Sequence, residues 1–245
     1  AWSCLALKAT IRIEETAMAN KYRHELKYYI SQADYVMMSN VLGRTMDADK
    51  NANSRGEYFI RSLYFDDVFD NSMREKLSGV DGREKIRIRI YGLSDDVIKL
   101  EMKRKDNGFI CKKSINLTRE ECDSLLEGDY TFLLYKKHPF ARYMFSQFAT
   151  RLLKPVVIVD YTREAYVFPM EDVRITFDKN IRTAYRSTDL FNKNLLTYPA
   201  VDGYDMVLEI KYNRYLPTYI RTLLQCGLSI RSAVSKYVIC RKYEM

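Results

Sequence analysis

Basic side chains recur at every second position in one segment of the chain, residues 83–90, where they alternate with Glu84 and then with three isoleucines. Successive side chains of a strand point to opposite faces, so these cations are predicted to share one face. Arginine binds phosphate oxygens at two points, and lysine neutralises them as a point charge. The pattern therefore favours a polyanionic ligand such as a chain of phosphates. The basic residues of this row are Arg83, Lys85, Arg87 and Arg89.

Four further segments repeat the alternation with acidic as well as basic side chains on the charged face. For any single strand a solvated outer face is a sufficient explanation, because rows of charge prevent edge-to-edge pairing. Five strands of this design, in a chain with amphipathic helices to cover the apolar faces, favour charged faces that line a closed interior. Close-set cations there would repel one another unless a polyanion filled the space. The charged faces carry Glu25 and Lys27, then Glu101, Lys103 and Lys105, then Arg174, Thr176 and Asp178, and finally Glu209 and Lys211.

Three glutamates, Glu25, Glu101 and Glu209, share these faces with the cations. Pairing with a neighbouring lysine or arginine is the simplest role for each of them. A hard divalent cation such as Mg²⁺ or Mn²⁺ instead takes one or two carboxylates together with phosphate oxygens. The residues alone leave both interpretations open. A histidine-rich metal site is not expected, since the chain has only two histidines.

The elements that position these residues are predicted from periodicity and turn signals. Capping boxes are predicted to start helices at Ser31, with Asp34, and at Thr118, with Glu121. The fold class predicted is α+β, an antiparallel β-barrel or tunnel with helices packed outside. The remaining helices are predicted at 140–153, 216–225 and 232–242, with a loop at 47–56 and a helical or irregular stretch at 70–77. Strands are predicted at 21–30, 57–66, 83–91, 97–105, 109–117, 155–168, 173–180 and 206–212.

The domain organisation is predicted to be simple, because the chain shows no internal repeat and no low-complexity linker. Residues 18–245 are predicted to form one domain. Met18 directly precedes the first patterned segment, and residues 1–17 show no clear relation in pattern to the rest of the chain. We therefore expect residues 1–17 to be an N-terminal extension outside the fold.

The composition limits the classes of molecule that the protein is expected to bind. A formal net charge of +8 favours a polyanion, whether nucleic acid, an anionic membrane surface or a phosphate-rich small molecule. Nucleic acid is not expected, because most aromatic residues fall on the strand faces opposite the cations. The five cysteines are scattered without a CxxC pair, which argues against a disulfide framework and fits a reducing cytoplasm. The longest apolar runs are too short to span a bilayer.

An ordered series of motifs resembles the VTC domain, the polyphosphate polymerase module of the vacuolar transporter chaperone family. This family belongs to the CYTH-like triphosphate tunnel metalloenzymes. The resemblance extends from residue 21 to residue 243 and is nearest to the stand-alone bacterial type. The motifs are KYRHELKY (21–28), SLYFD (62–66), REKIRIRIY (83–91), LEMK (100–103), DYTR (160–163), VRITFD (173–178), LEIKY (208–212) and VSKY (234–237).

The resemblance implies an enzyme that binds ATP or another nucleoside triphosphate with Mn²⁺ or Mg²⁺ and passes the γ-phosphoryl group to a polyphosphate chain. Glu209 is implied as the metal ligand, assisted by Glu25. The catalytic set implied is Lys27, Arg87, Arg89, Lys103 and Glu209. With the basic rows included, the phosphate-binding set expected is Lys27, Lys85, Arg87, Arg89, Lys103, Arg163, Arg174, Lys211, Ser235 and Lys236.

Two other functions stay open on the sequence. The same tunnel could hydrolyse inorganic or organic triphosphate, since only the acceptor differs. A non-catalytic sensor of polyphosphate or nucleotide, partnered with a membrane protein, is the second alternative, although it would not need Glu209 as a metal ligand. Ala233 stands where the eukaryotic type has a basic residue, so Arg231 is a candidate to supply that phosphate contact. Oligomeric state is not predicted.

Overall fold

The computed structural model describes residues 24–168, 172–201, 206–213, 215–225 and 234–243. The predicted N-terminal extension, the first residues of the predicted 21–30 strand, Arg231 and Ala233 lie outside the described residues.

One twisted antiparallel sheet dominates the described structure. The strand order is β1-β10-β8-β7-β3-β4-β5-β6, while the two-residue strands β2 and β9 pair with β7 and β8 respectively. The strands are β1 (His24–Ile30), β2 (Asp47–Ala48), β3 (Glu57–Asp66), β4 (Arg83–Tyr91), β5 (Ser94–Asp106), β6 (Phe109–Leu117), β7 (Lys154–Phe168), β8 (Val173–Thr183), β9 (Tyr198–Pro199) and β10 (Met206–Tyr212).

The sheet curls into a tunnel without closing through main-chain hydrogen bonds, because β1 and β6 are its two edges among the described strands. Side chains instead connect β1 to the hairpin of β5 and β6. The Lys103 ammonium on β5 lies 2.6 Å from a Glu25 carboxylate oxygen on β1. The ring of His24 on β1 lies 5.8 Å from that of Phe109 on β6, measured between centroids. The predicted α+β fold with an antiparallel tunnel is therefore confirmed, with a seam of side-chain contacts.

Seven helices occur in the described ranges. Both predicted capping boxes are present: the Ser31 and Thr118 side chains accept from the main-chain N–H groups of Asp34 and Glu121, whose carboxylates bond back. None of these helices is long and apolar enough to cross a membrane. The helices are α1 (Gln32–Thr45), α2 (Asn71–Leu77), α3 (Arg119–Glu127), α4 (Phe132–Tyr135), α5 (Pro139–Arg151), α6 (Thr218–Gln225) and α7 (Lys236–Tyr243).

The apolar faces of the strands are covered from outside by helices. Ile86, Ile88 and Ile90 of β4 are at most 2% exposed and belong to a core with residues of α3, α4 and α5. A second core joins Ile175 and Phe177 of β8 to residues of α1 and α6. Complete burial of each such side chain contributes roughly 1.5–3 kcal/mol. This burial fixes the register, so the charged side chains of the same strands must face inward.

Helix α7 occupies a different position from the other helices. Val234, just before it, and its residues Tyr237 and Val238 form a third core with inward-facing residues such as Val157 and Val207. By strand register these residues share the sheet face that carries the basic row of β4. Part of the tunnel interior is therefore apolar and filled by α7, and the remaining interior is a charged cavity.

Candidate functional site

A cavity of about 440 Å³ lies inside the tunnel. Eleven basic and two acidic side chains line it among the described residues, so its lining is strongly cationic. Tyr64, Tyr161 and Tyr237 also line it, together with Ser235 at the start of α7. The charged residues are Glu25, Lys27, Lys76, Arg83, Lys85, Arg87, Arg89, Lys103, Lys105, Arg163, Glu209, Lys211 and Lys236.

The two acidic residues form what we call the carboxylate region, with Lys27, Lys103 and Lys211. Glu25 of β1 and Glu209 of β10 lie on adjacent strands, and the Lys27 ammonium lies between them, 3.0 Å from Glu209 and 3.7 Å from Glu25. Lys103 contacts Glu25 at 2.6 Å, and Lys211 contacts Glu209 at 3.0 Å. Each carboxylate therefore holds at least two ammonium groups in fixed positions.

Burial and neighbouring charges set the protonation of this region. Burial alone would raise the pKa of Glu209, but Lys211 and Lys27 hold that pKa well below its usual range. Burial would lower the pKa of Lys27, whereas Glu209 and Glu25 raise it above its ordinary value. For Lys103, burial and the charge of Lys27 lower the pKa to about 7, despite the contact with Glu25. Of the lysines in the carboxylate region, Lys103 is therefore the one whose charged form a further anion would stabilise most.

Two arginines of the β4 row are held by protein groups. Arg87 forms an ion pair with the buried Glu101 on β5 at 2.7 Å and donates to the Tyr64 hydroxyl at 2.8 Å. Arg89 donates to the Tyr161 hydroxyl at 2.9 Å and lies 3.7 Å from Glu101. Neutralisation by Glu101 corrects the expectation that the whole row repels itself in the absence of ligand. This neutralisation applies only to Arg87 and Arg89, not to Arg83 and Lys85.

The other half of the row belongs to what we call the cationic region, namely Lys76, Arg83, Lys85 and Lys105. Among the described residues none of these four forms an ion pair; Lys85 donates to the Ser235 hydroxyl at 2.6 Å, and Arg83 donates to a main-chain carbonyl. Burial, with the charges of Lys27 and Lys76, lowers the pKa of Lys85 well below its ordinary value. Burial and Arg83 lower the pKa of Lys76.

Arg163 and Lys236 meet the cavity from β7 and α7, and both are anchored on the fully buried Asp178 of β8. Arg163 contacts it at 2.6 Å and lies 3.8 Å from Glu209. Burial would raise the pKa of Asp178, but Arg163 and Lys236 hold that pKa below its usual range. Nine of the ten predicted phosphate-binding residues thus line one cavity; whether they bind phosphate stays a prediction.

Arg174 is the predicted site residue that the structure keeps apart from the others. It does not line the cavity. Its guanidinium forms an ion pair with Asp49 and donates to the Tyr58 hydroxyl at 2.9 Å.

The fit to a divalent metal depends on Glu25 and Glu209. The described residues contain no cluster of three or more acidic, histidine or cysteine side chains that could hold a metal ion by themselves. Two carboxylates on adjacent strands, beside the cations predicted to bind phosphate, nevertheless match a Mg²⁺ or Mn²⁺ site completed by phosphate oxygens. Asp66 and Asp67, at the end of β3, accept hydrogen bonds from main-chain N–H groups of α2.

Sequence reasoning left several lining residues out of the site. Arg83 and Lys105 lie on the same strand faces as the predicted residues, so alternation alone could have included them. Lys76 comes from α2, and no strand pattern points to it. Tyr64 and Tyr161 have the inward parity, but a tyrosine in a strand is as often a packing residue.

A family model described as the VTC domain matches residues 22–244. The chain belongs to the VTC domain family. The match spans nearly all of the motif series, from KYRHELKY to VSKY, so the resemblance is confirmed. No curated protein matches the sequence.

Three solved structures share the fold of this VTC domain. An adenylyl cyclase candidate from Hippeastrum with a dominant triphosphatase activity aligns with a TM-score of 0.55 and 15% identity, over 91% of this chain and 97% of that chain. A protein from Pyrococcus horikoshii OT3 aligns with a TM-score of 0.50 and 15% identity, over 91% and 99%. An adenylate cyclase candidate from Bacillus halodurans aligns with a TM-score of 0.50 and 11% identity, over 85% and 88%. At these identities the likeness concerns the fold.

Proposed function

We propose that the chain is a metal-dependent phosphotransferase that moves the γ-phosphoryl group of ATP, or another nucleoside triphosphate, onto a polyphosphate chain. The observation that carries this proposal is the lining of one tunnel cavity by eleven basic and two acidic side chains. An enclosed concentration of positive charge at this density is complementary to a chain of phosphates.

The cations fall into roles according to their neighbours. Arg87 and Arg89 have their guanidinium groups oriented by Glu101, Tyr64 and Tyr161, so they are pre-organised to bind phosphate oxygens. Lys27, Lys103 and Lys211 are the charges nearest the two carboxylates, where the reacting phosphoryl group would lie. Charge stabilisation by fixed cations in a site shielded from water is the main source of rate in phosphoryl transfer.

Glu25 and Glu209 would hold the divalent cation together with phosphate oxygens. A divalent cation held there would supply positive charge that offsets the charge of the phosphates. To free both carboxylates, the ammonium groups of Lys27, Lys103 and Lys211 would turn from them towards phosphate. The flexible stems of these lysines allow that exchange of partners.

A general base is not needed for transfer to a phosphate chain, because the attacking phosphate oxygen is already ionised. The cavity accordingly has no histidine among its described lining residues. What the chain must do is bring the attacking oxygen into line with the bond that breaks.

The cationic region favours transfer over hydrolysis. A single triphosphate carries about four to five negative charges. The five basic side chains of the carboxylate region and the two arginines, offset by Glu25, Glu209 and Glu101, leave a net charge of +2, which a divalent cation would raise to +4. Lys76, Arg83, Lys85 and Lys105 are therefore available to a second phosphate chain. Triphosphate hydrolysis is the second candidate, supported by the dominant triphosphatase activity named for the Hippeastrum protein with this fold.

The experiment that tests the proposal is incubation of the protein with ATP and Mn²⁺, followed by ³¹P NMR. Transfer predicts ADP together with a growing signal from interior phosphates of a chain. Free phosphate or diphosphate without chain signal would replace transfer by hydrolysis. ATP bound without turnover would support the non-catalytic sensor.

A further inference from the structure

Two sequence segments far apart in the chain meet beneath the cavity. SLYFD (62–66) ends β3, and VSKY (234–237) begins α7. The Tyr237 hydroxyl donates a hydrogen bond of 2.5 Å to the Asp66 carboxylate across 171 residues of sequence. Both groups are buried, Asp66 completely and Tyr237 to within 2% exposure. Neither residue belongs to the phosphate-binding set proposed above.

Asp66 is itself fixed by the main chain. One carboxylate oxygen accepts from the N–H groups of Asp67 and Ser72, each at 2.9 Å, and the other accepts from Met73 at 3.1 Å. A carboxylate bonded to three main-chain donors has no freedom to follow a moving partner. Asp66 is therefore a rigid anchor between β3, α2 and α7.

Tyr237 connects this anchor to residues that line the cavity. Its ring packs on that of Tyr64, 5.1 Å between centroids, and the Lys85 ammonium lies 5.3 Å from its centroid. Lys85 in turn donates to the hydroxyl of Ser235, two residues before Tyr237. Burial and the hydrogen bond to Asp66 raise the pKa of Tyr237, so its hydroxyl stays protonated and remains a donor.

We infer that Asp66, acting through Tyr237, is a positioning residue that fixes the first turn of α7 so that Ser235 and Lys236 face the phosphate-binding cavity. The role rests on the proposed function, because the cavity must bind phosphate for the positioning to matter. Neither Asp66 nor Tyr237 needs to touch the substrate. Removing their hydrogen bond releases the helix end that carries two of the cavity groups.

A second tie between α7 and the start of α2 provides the matched control. Arg241, in the last turn of α7, lies 3.0 Å from a carboxylate oxygen of Asp70, and both side chains are partly exposed. This ion pair also joins the two helices, yet it lies farther from Ser235. Arg241→Gln should loosen α7 at the end remote from the cavity.

The experiment compares Tyr237→Phe with Arg241→Gln by hydrogen exchange and by tripolyphosphate binding in calorimetry. In Tyr237→Phe we expect exchange in residues 236–239 to accelerate at least tenfold and the affinity for tripolyphosphate to fall about tenfold. Arg241→Gln should change neither quantity by more than about twofold at this end of the helix. If Tyr237→Phe fails to fold, Asp66→Asn, which keeps an oxygen for the N–H groups of Asp67 and Ser72, replaces it.

A double-mutant cycle separates positioning from general stability. If Tyr237 acts through Ser235, then Tyr237→Phe should cost less than about threefold in affinity when Ser235→Ala is already present. An equal tenfold loss in both backgrounds, or unchanged exchange in Tyr237→Phe, would overturn the inference. Should the unaltered protein bind no tripolyphosphate, the proposed function fails, and the exchange measurement still decides whether Asp66 and Tyr237 fix α7.

Discussion

The carboxylate region and the cationic region lie in the same cavity but are stabilised in different ways. In the carboxylate region, Glu25 and Glu209 each hold at least two ammonium groups within 4 Å. In the cationic region, Lys85 has a hydroxyl as its partner. None of the four cations of this region forms an ion pair with another described residue. Pairing restrains the first set of cations before any ligand arrives. The second set keeps its charge unneutralised and gains most from a bound anion.

This difference suggests a division of labour within the proposed reaction. Carboxylates interleaved with cations are needed where a metal and the reacting phosphoryl group are held. Cations alone are sufficient where a phosphate chain is only bound. Variants of the two regions should therefore fail in different ways, and the size of each failure tests the comparison.

The largest effect is expected for Glu209→Gln. The amide keeps the shape but removes the charge that a divalent metal requires, so turnover of ATP with Mn²⁺ should fall by about a thousandfold or more. Binding of tripolyphosphate without metal should persist, since the cations remain. Glu84→Gln is the matched control, because Glu84 is a buried carboxylate that accepts from Tyr143 and does not line the cavity. Equal turnover in Glu209→Gln and in the unaltered protein would remove Glu209 from catalysis.

A tenfold effect on affinity is expected when two charges are removed from the cationic region by the double change Arg83→Ala and Lys105→Ala. Affinity for long-chain polyphosphate should fall about tenfold, whereas affinity for tripolyphosphate should change less than about twofold. The control removes two basic residues outside the cavity, Arg104 and Arg119. Competition binding at fixed ionic strength measures both affinities, because screening by salt weakens every such contact. Equal losses for the short and the long chain would erase the proposed distinction between the two regions.

A severalfold effect of pH is expected from Lys103. Its pKa of about 7 lies below the ordinary lysine value, and a bound polyanion should raise it, so binding above pH 7 should take up a proton and weaken as pH rises to 9. Between about pH 7 and 10.5 the unfolded chain binds more protons at this position, so its contribution to the free energy of unfolding rises with pH. Calorimetry in buffers of different ionisation enthalpy measures the uptake. Lys103→Arg, which stays protonated, should reduce the uptake, and Lys85, whose pKa is also lowered, should supply the remainder. Unchanged uptake in Lys103→Arg would contradict the prediction.

The smallest effect is expected for Arg174→Gln. Arg174 is held by Asp49 and Tyr58 outside the cavity lining, so tripolyphosphate affinity should change less than about twofold. A tenfold loss of tripolyphosphate affinity would return Arg174 to the phosphate-binding set that its motif suggests.

Much of this arrangement was predictable because strand alternation is a strict rule. Burial of Ile86, Ile88 and Ile90 dictates that the alternate positions of β4 face the tunnel. The same parity places Glu25 and Glu209 inward on adjacent strands. Capping boxes at Ser31 and Thr118 likewise identify helix starts from local chemistry alone.

The remaining features depend on contacts that no local pattern encodes. Pairing of Arg87 with Glu101 depends on the register of β4 against β5, which the sequence does not state. Lys76 reaches the cavity from a short helix. The penetration of α7 into the interior, and the hydrogen bond from Tyr237 to Asp66, join segments 171 residues apart. Periodicity predicts which face of a strand or helix is buried, but only the folded structure shows which residues of other elements that face contacts.

The central claim, that the tunnel interior binds a chain of phosphates, is tested most directly by metal-free calorimetric titration with tripolyphosphate. The protein should bind one tripolyphosphate, with an affinity that falls as salt rises. Arg89→Gln, inside the cavity, should weaken binding at least tenfold, whereas Arg104→Gln, which removes the same charge outside the cavity, should stay within about twofold. Absence of binding at low salt, or equal losses in the two variants, would contradict the claim.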